Sequence, residues 1–267
     1  MSGQSPHRRK RPPLTEEWPE GVGRHVLARV GSTNAEALRL APSLSGPAWV
    51  LTHDQTQGRG RRGRGWSMPK GNFAATLVLR PRGGIATAAQ LSFVAALALH
   101  DTLAQVCGPS ARIAIKWPND VLLNGGKVAG ILLESSGDGQ GVPAVAVGIG
   151  VNLAAAPDQV GLEPTALPAV SVLGESGIAI PADDFLDILA PAFAAWLGQF
   201  ETFGFAPIRH AWLARATRIG QPIIARIGTS ELHGVFEGID NQGALILVTA
   251  GGRQAIPAAD IFFQGAS

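Results

Sequence analysis

The residues whose types and spacing most clearly indicate ligand binding form an alternating glycine and arginine segment at 58–66, GRGRRGRGW. Glycine lets main-chain N–H groups approach a ligand closely, and arginine is a permanently charged, forked donor for phosphate or carboxylate. Two lysine-bearing motifs follow, KWPND at 116–120 and GKVAG at 126–130. The chain has four lysines against eighteen arginines, so two lysines within short motifs indicate a site for an anionic ligand.

The charge distribution agrees with such a site in the first half of the chain. Residues 1–140 carry 17 Lys and Arg against 9 Asp and Glu, whereas residues 141–267 carry 5 against 11. A basic first half suits an anionic small molecule or a nucleic acid, and charge alone does not separate the two.

Composition excludes several classes of protein. With 267 residues and 46% hydrophobic content, the chain can bury the core of one large and one small domain. Cys107 is the only cysteine, which excludes an intrachain disulfide and suits a reducing cytoplasm. The apolar stretch 85–99 is shorter than the roughly 20 residues of a membrane span, so a buried helix is predicted there.

The elements that must position the motifs are strands and helices in a mixed pattern. Strands are predicted at 26–29, 49–53, 72–79, 113–117, 121–123, 127–134 and 144–151. Helices are predicted at 33–40, opened by a capping box of Thr33 and Glu36, and at 88–106, 183–203 and 207–217. The motifs therefore lie at strand ends and turns. The segment 58–66, here called the arginine loop, has a predicted strand on each side.

The second half predicts a long loop and a separate small domain. Residues 153–170 have little periodicity and read as a long loop that could act as a lid. Short alternating strands follow at 223–227, 231–239, 244–249 and 253–256, which predicts a small β-barrel. We divide the chain into a flexible basic tail at 1–22, a catalytic domain at 23–218 and a C-terminal domain at 219–267.

Five motifs together resemble one family. Ser32-Thr33-Asn34, QTQGRGRRGRGW at 55–66, KWPND, GKVAGILLE at 126–134 and GIGVN at 148–152 have the order and spacing of the biotin protein ligases. The resemblance covers about residues 30–265 and implies an α+β fold, a mixed-sheet catalytic domain of the biotin/lipoate ligase type followed by an SH3-like β-barrel. It implies activation of biotin by Mg²⁺-ATP to biotinyl-5′-adenylate, then transfer to a lysine of a biotin carboxyl carrier domain.

The same resemblance implies roles for sixteen residues. Lys127 and Arg59 would act in catalysis, and Asp120 would orient or deprotonate the acceptor lysine. The residues implied in biotin binding are Ser32, Thr33, Asn34, Gln55, Gly58, Arg59, Gly60, Arg61, Lys127 and Gly130. Those implied in ATP binding are Arg64, Trp66, Lys116, Asn119 and Asn152, with no metal other than the Mg²⁺ of the nucleotide. Arg62 is the arginine expected to be merely solvated, and the loop is expected to be disordered without ligand.

Simpler structural interpretations stay open for several of these residues. Ser32-Thr33 could be only a helix N-cap, Lys116 and Asp120 only a surface ion pair, and the Trp66 and Trp117 rings only core aromatics.

Three rival functions also stay open. A lipoate or octanoate transferase would share the fold, and a nucleic-acid-binding protein would use the arginines. A ligase that is also a repressor would need an N-terminal winged helix, and only about 25 residues precede the first strand, so we expect no DNA partner. Family members occur as monomers or homodimers, and the sequence does not choose between these states.

Overall fold

The computed structural model describes residues 17–83, 85–136, 144–157 and 167–263. The larger of its two sheets has seven strands. They are β1 Gly23–Leu27, β2 Ala48–Thr52, β3 Phe73–Leu79, β4 Ile113–Lys116, β5 Asp120–Leu123, β6 Gly126–Ser136 and β7 Ala144–Val151. The spatial order is β1-β2-β3-β7-β6-β5-β4, with β1 parallel to β2 and all other neighbours antiparallel.

Six α-helices accompany the sheets within the described residues. They are α1 Thr33–Leu40, α2 Ile85–Ala88, α3 Leu91–Cys107, α4 Val172–Ser176, α5 Ala182–Phe203 and α6 Phe205–Leu213. Successive strand residues face opposite sides of a sheet. Val50 and Val78 pack with α1, whereas Ala75 and Leu77 belong to the core with α3 and α5, so the larger sheet has helices on both faces. This is why every residue of β3 is buried and its sequence is almost wholly apolar.

The C-terminal sheet has five antiparallel strands. They are β8 Pro222–Ile227, β9 Ser230–Ile239, β10 Leu245–Thr249, β11 Gly252–Ile256 and β12 Asp260–Phe263, in the spatial order β11-β10-β9-β8-β12. The prediction of a small C-terminal β domain is confirmed, and its strands form a ladder with β11 and β12 at the two ends rather than a closed ring.

The two sheets share one continuous hydrophobic core. The Trp117 indole N–H donates to the carbonyl of Gly243 at 3.0 Å, and the Arg209 Nε donates to the carbonyl of Ile239 at 2.6 Å. Gly243 lies against the Phe93 ring, where a Cβ would come within 2.6 Å of a ring carbon. Buried polar groups and close backbone contact thus fix the C-terminal domain against α3 and α6.

The structure differs from the sequence predictions at several element ends. β1 begins and ends two or three residues earlier than predicted, and the long helix predicted at 88–106 is α3, which begins at Leu91 and follows the separate short helix α2. The helix α4 and the strand β12 were not predicted. Only parts of the predicted loop at 153–170 and of the basic tail are described, since residues 158–166 and 1–16 lie outside the described ranges. None of the helices described is long and apolar enough to cross a membrane.

Candidate functional site

One face of the larger sheet is hollowed by glycines beside α1. Gly130 of β6 pairs with Gly150 of β7, and Gly148 lies two residues before Gly150 on the same face. A Cβ on Gly150 would overlap the Trp66 ring, and one on Gly148 would overlap the Asn34 side chain. The missing side chains therefore make room for groups that come from the arginine loop and from α1.

A cavity of about 390 Å³ opens on this face, between the larger sheet, the arginine loop and β12. It is lined by fifteen of the sixteen residues that the sequence resemblance implied. They are Ser32, Thr33, Asn34, Gln55, Arg59, Gly60, Arg61, Arg64, Trp66, Lys116, Asn119, Asp120, Lys127, Gly130 and Asn152. Gly58 is not part of the lining. It lies where the loop closes, since its carbonyl accepts the N–H of Trp66 at 2.9 Å and a Cβ there would overlap the Trp66 carbonyl.

A buried carboxylate between two ammonium groups forms one end of the cavity. The Lys127 Nζ lies 2.7 Å from Asp120 Oδ1, and the Lys116 Nζ lies 3.5 Å from Asp120 Oδ2. The side chains of Asp120 and Lys116 are each only 12% exposed, so the alternative of a solvated surface pair is wrong. The cluster carries a net positive charge at the cavity wall, which favours an anionic ligand.

The pKa values follow from this arrangement. Burial disfavours the charged form of Asp120, but the ammonium groups of Lys127 and Lys116 outweigh it and hold the pKa of the carboxyl below its usual value. Burial lowers the pKa of Lys116, because attraction to Asp120 offsets only part of the lost hydration and Lys127 adds repulsion. Asp120 is therefore ionised at neutral pH, and Lys116 gives up its proton more readily than an exposed lysine.

Neutral hydrogen-bonding groups form another part of the wall. The backbone N–H and the hydroxyl of Thr33 donate to Gln55 Oε1 at 2.9 and 3.1 Å. Ser32, not Thr33, is the N-cap of α1, and its hydroxyl oxygen accepts the N–H of Ala35 at 3.5 Å. Thr33 is the first helical residue, so the capping-box prediction has the helix end right and the capping residue wrong by one.

The Asn34 amide is held on both of its ends. Its Oδ1 accepts from the hydroxyl of Thr76 at 2.7 Å, and its Nδ2 donates to the carbonyl of Leu132 at 3.2 Å and to Glu134 Oε2 at 2.8 Å. Glu134 also contacts the Arg59 guanidinium, with Nη2 3.3 Å from Oε1. The amide thus links the base of the cavity to the arginine loop.

The arginine loop is tied to the C-terminal domain through Asp260 of β12. The Arg62 Nη1 lies 3.0 Å from Asp260 Oδ2, the Arg61 Nη1 lies 3.9 Å from Oδ1, and Arg64 contacts Oδ2 as well. The expectation that Arg62 is merely solvated is therefore wrong. Burial lowers the pKa of Arg61, with Asp260 acting in the opposite direction. Three guanidinium groups share one carboxylate, which leaves the loop positive beside the cavity.

The two asparagines implied in ATP binding also hold the main chain. The Asn119 Nδ2 donates to the carbonyl of Ile131 at 2.7 Å, and the Asn152 Nδ2 donates to the carbonyl of Val170 at 3.0 Å. The N–H of Val170 in turn donates to the carbonyl of Lys127 at 3.0 Å. Asn152 thus fixes the end of the 153–170 segment beside Lys127.

Sequence reasoning missed three residues that support the site, namely Thr76, Glu134 and Asp260. A hydroxyl in the apolar strand FAATLVL was a usable signal for Thr76, because a buried hydroxyl needs a partner. Glu134 was quoted within a motif but given no role. Nothing local in the sequence connects Asp260 with arginines almost 200 positions earlier.

Comparison with known proteins adds family matches for both parts of the chain. Residues 26–152 match the biotin/lipoate A/B protein ligase family, and residues 219–264 match the biotin protein ligase C-terminal domain. A biotin–[acetyl-CoA-carboxylase] ligase of Paracoccus denitrificans is 71% identical over 240 residues, which are 90% of this chain and the whole of that protein.

More distant similarities extend over the same regions. The bifunctional ligase/repressor BirA of Escherichia coli is 34% identical over 83% of this chain and 68% of its own length. The solved structure of biotin protein ligase from Aquifex aeolicus in complex with biotin and ATP superposes with a TM-score of 0.73, at 23% identity, over 90% of this chain and 97% of that one. At 23% identity, this superposition supports a shared fold and nothing further.

Proposed function

The chain belongs to the biotin/lipoate A/B protein ligase family, and we propose that it activates biotin with ATP and transfers it to a lysine of a biotin carboxyl carrier domain. The observation that carries the proposal is one cavity with neutral hydrogen-bonding groups at Thr33 and Gln55 and with cations at Arg59 and Lys127. Biotin has the matching chemistry, since an uncharged ureido ring needs neutral partners and its carboxylate needs cations.

In the first step, a carboxylate oxygen of biotin attacks the α-phosphorus of ATP, and the bond to the bridging oxygen of pyrophosphate breaks. Two anions must approach each other, so the protein has to supply fixed positive charge rather than a nucleophile. Lys127 and Arg59 are proposed to lie against the carboxylate and the α-phosphate. Arg61 is proposed for the biotin side of the cavity and Arg64 for the phosphates that leave. Their shared partner Asp260 neutralises only part of the loop's charge, so positive charge is left for these anions.

In the second step, the ε-amine of the acceptor lysine attacks the acyl carbon of the adenylate, and AMP leaves as the amine loses a proton. Asp120 is proposed to orient the incoming amine, since a carboxylate with a lowered pKa is a strong acceptor for an ammonium group and a weak base. Lys116 lies on the other side of the same carboxylate, and its lowered pKa makes its neutral form more accessible than in an exposed lysine. This neutral amine is the proposed acceptor of the proton that the attacking amine loses.

Magnesium is proposed to enter with ATP. Mg²⁺ prefers carboxylate, phosphate and water oxygens. The two carboxylates on the cavity wall, Asp120 and Asp260, are each engaged with cationic side chains. The phosphate oxygens of the nucleotide are therefore the proposed ligands of Mg²⁺. The cationic side chains of the cavity are proposed to contact the phosphates directly.

The proposed partners are biotin, ATP and the carrier domain, in the cytoplasm, where the thiol of Cys107 stays reduced. No DNA partner is proposed, because the arginine loop faces the cavity and Asp260. For the oligomeric state, which the sequence leaves open, β1 at one end of the larger sheet offers an edge for pairing with a second copy.

The test is pyrophosphate release from Mg²⁺-ATP with biotin or with lipoate, with and without a carrier domain. We expect pyrophosphate release from ATP when biotin is added without a carrier domain. We expect a biotin-labelled carrier only when biotin and the carrier domain are both present with ATP. Release that depends on lipoate and not on biotin would replace this proposal by the related lipoate chemistry of the same family.

A further inference from the structure

We propose that Glu134 is a positioning residue that orients Asn34 and Arg59 as one unit, an inference that rests on the proposed biotin site. Its Oε2 accepts from the Asn34 Nδ2 at 2.8 Å, and the Arg59 Nη2 lies 3.3 Å from Oε1 and 3.5 Å from Oε2. Glu134 itself is absent from the cavity wall, whereas Asn34 and Arg59 both line it. It therefore acts through its two partners.

The register of the sheet places Glu134 on the cavity face of β6, two residues beyond Leu132, which lines the cavity. Glu134 pairs with Ala146, and two residues earlier on the same face Leu132 pairs with Gly148, whose missing side chain admits Asn34. The Asn34 Nδ2 donates to the Leu132 carbonyl at 3.2 Å in addition to the Glu134 carboxylate. One strand thus supplies both acceptors for the Asn34 amide.

Both ends of the amide are engaged in hydrogen bonds within this network. Its Oδ1 accepts from the Thr76 hydroxyl, which is fully buried on β3, and both hydrogens of Nδ2 have acceptors. The Thr76 hydroxyl oxygen also lies 2.8 Å from the hydroxyl oxygen of Thr33, whose hydrogen is donated to Gln55, so these polar side chains lie together beside the amide. Glu134 is the member that extends this network to the arginine loop.

For Arg59, the contact with Glu134 fixes a long side chain before a ligand arrives. Both contacts use Nη2, which leaves Nε and Nη1 for an anion in the cavity. The glycines on either side of Arg59 make its backbone costly to order. A side chain that is already oriented loses less conformational entropy on binding, so Glu134 is expected to tighten binding of the ligand carboxylate.

Substitution of Glu134 separates its two contacts. In Glu134→Gln the amide oxygen still accepts from Asn34, but the charge that pairs with Arg59 is lost. We expect a rise of about tenfold in the dissociation constant and KM for biotin, with the KM for ATP within about twofold of wild type. Glu134→Ala removes both contacts and is expected to weaken biotin binding further.

The closing experiment is a double-mutant cycle on biotin binding by calorimetry, with wild type, Glu134→Gln, Arg59→Ala and the double variant. If Glu134 acts through Arg59, adding Glu134→Gln to the Arg59→Ala variant changes the dissociation constant for biotin by less than about twofold. The control is Glu237→Gln, which breaks a comparable pair with Arg253 in the C-terminal domain and should leave biotin binding unchanged.

Three results would overturn the inference. Fold-changes of the two single variants that multiply in the double variant would mean that the residues act independently. Unchanged biotin binding in Glu134→Gln, with its folding verified by circular dichroism, would remove the role of the charge. Wild-type protein that binds no biotin would overturn the proposed function as well, and this outcome is distinct from the other two.

Discussion

Lys127 and Asp120 face each other across β6 and β5, with the lysine Nζ 2.7 Å from Oδ1 of the aspartate. A register shift brings Lys127 to this side. Val121 of β5 pairs with Ala129, but the next residue, Leu122, pairs with Lys127 and not with Val128. β6 therefore has one extra residue at this point, which is a β-bulge. Such a bulge reverses the alternation of side chains, and Lys127 therefore reaches the cavity face.

Because the bulge aims Lys127 at the cavity proposed for adenylation, Lys127→Ala is expected to lower the rate of biotin-dependent exchange of pyrophosphate into ATP by about a hundredfold or more. The matched control is Lys70→Ala, which removes an exposed lysine and should leave exchange unchanged. Exchange close to that of wild type in Lys127→Ala would exclude this lysine from the first step.

Arg59→Ala is expected to weaken biotin binding by about tenfold and to let biotinyl-adenylate escape before transfer. The reason is that the variant loses the charge-assisted contact proposed between the arginine loop and the ligand. Escape is measured as labelling of lysines on a bystander protein. Arg253→Ala, which removes an exposed arginine of the C-terminal domain, serves as the control. Unchanged affinity together with no bystander labelling would contradict the assignment.

The lowered pKa of Asp120 predicts how stability depends on pH. An aspartate whose pKa falls on folding stabilises the protein above its unfolded pKa of about 4, and this stability is lost as the pH falls through the lower pKa of the folded state. We expect the free energy of unfolding of the wild type to exceed that of Asp120→Asn near neutral pH, and the difference to shrink below about pH 4. Urea unfolding from pH 6 to pH 2.5 measures it, and parallel curves for the two proteins would contradict the prediction.

The sequence predicted the parts of the fold that local patterns determine. β7 was predicted with its observed ends because a buried apolar run stops at Asn152, and α1 because a hydroxyl precedes a helical pattern. The motifs were expected at strand ends, and the structure brings fifteen of the sixteen implied site residues, all but Gly58, to one cavity.

Long-range register determined the rest. Regular alternation along β6 would place Lys127 on the face opposite to Gly130, and only the shift against β5 puts them together. Likewise, Asp260 reaches the arginine loop because β12 pairs with β8, and the pairing of distant strands leaves no local mark on the sequence. The expectation for Arg62 was wrong for this reason.

The pairing of Asp260 with Arg61, Arg62 and Arg64 predicts how the arginine loop opens. Trypsin cleaves after arginine only when the backbone leaves its folded path, so cleavage within 58–66 reports the opening of the loop. Asp260→Asn should raise this cleavage about fivefold, the effect of roughly 1 kcal/mol from a partly exposed ion-pair cluster. Biotin should lower cleavage in both proteins, because ordering a glycine-rich loop is costly until a ligand adds contacts.

Glu237→Gln, which breaks a pair elsewhere in the C-terminal domain, should leave the cleavage rate at the wild-type value. Equal rates in Asp260→Asn and wild type would mean that the C-terminal domain does not hold the loop. Equal rates with and without biotin would mean that the loop takes no part in covering the ligand, since a loop that closes on biotin must exclude the protease while biotin is bound.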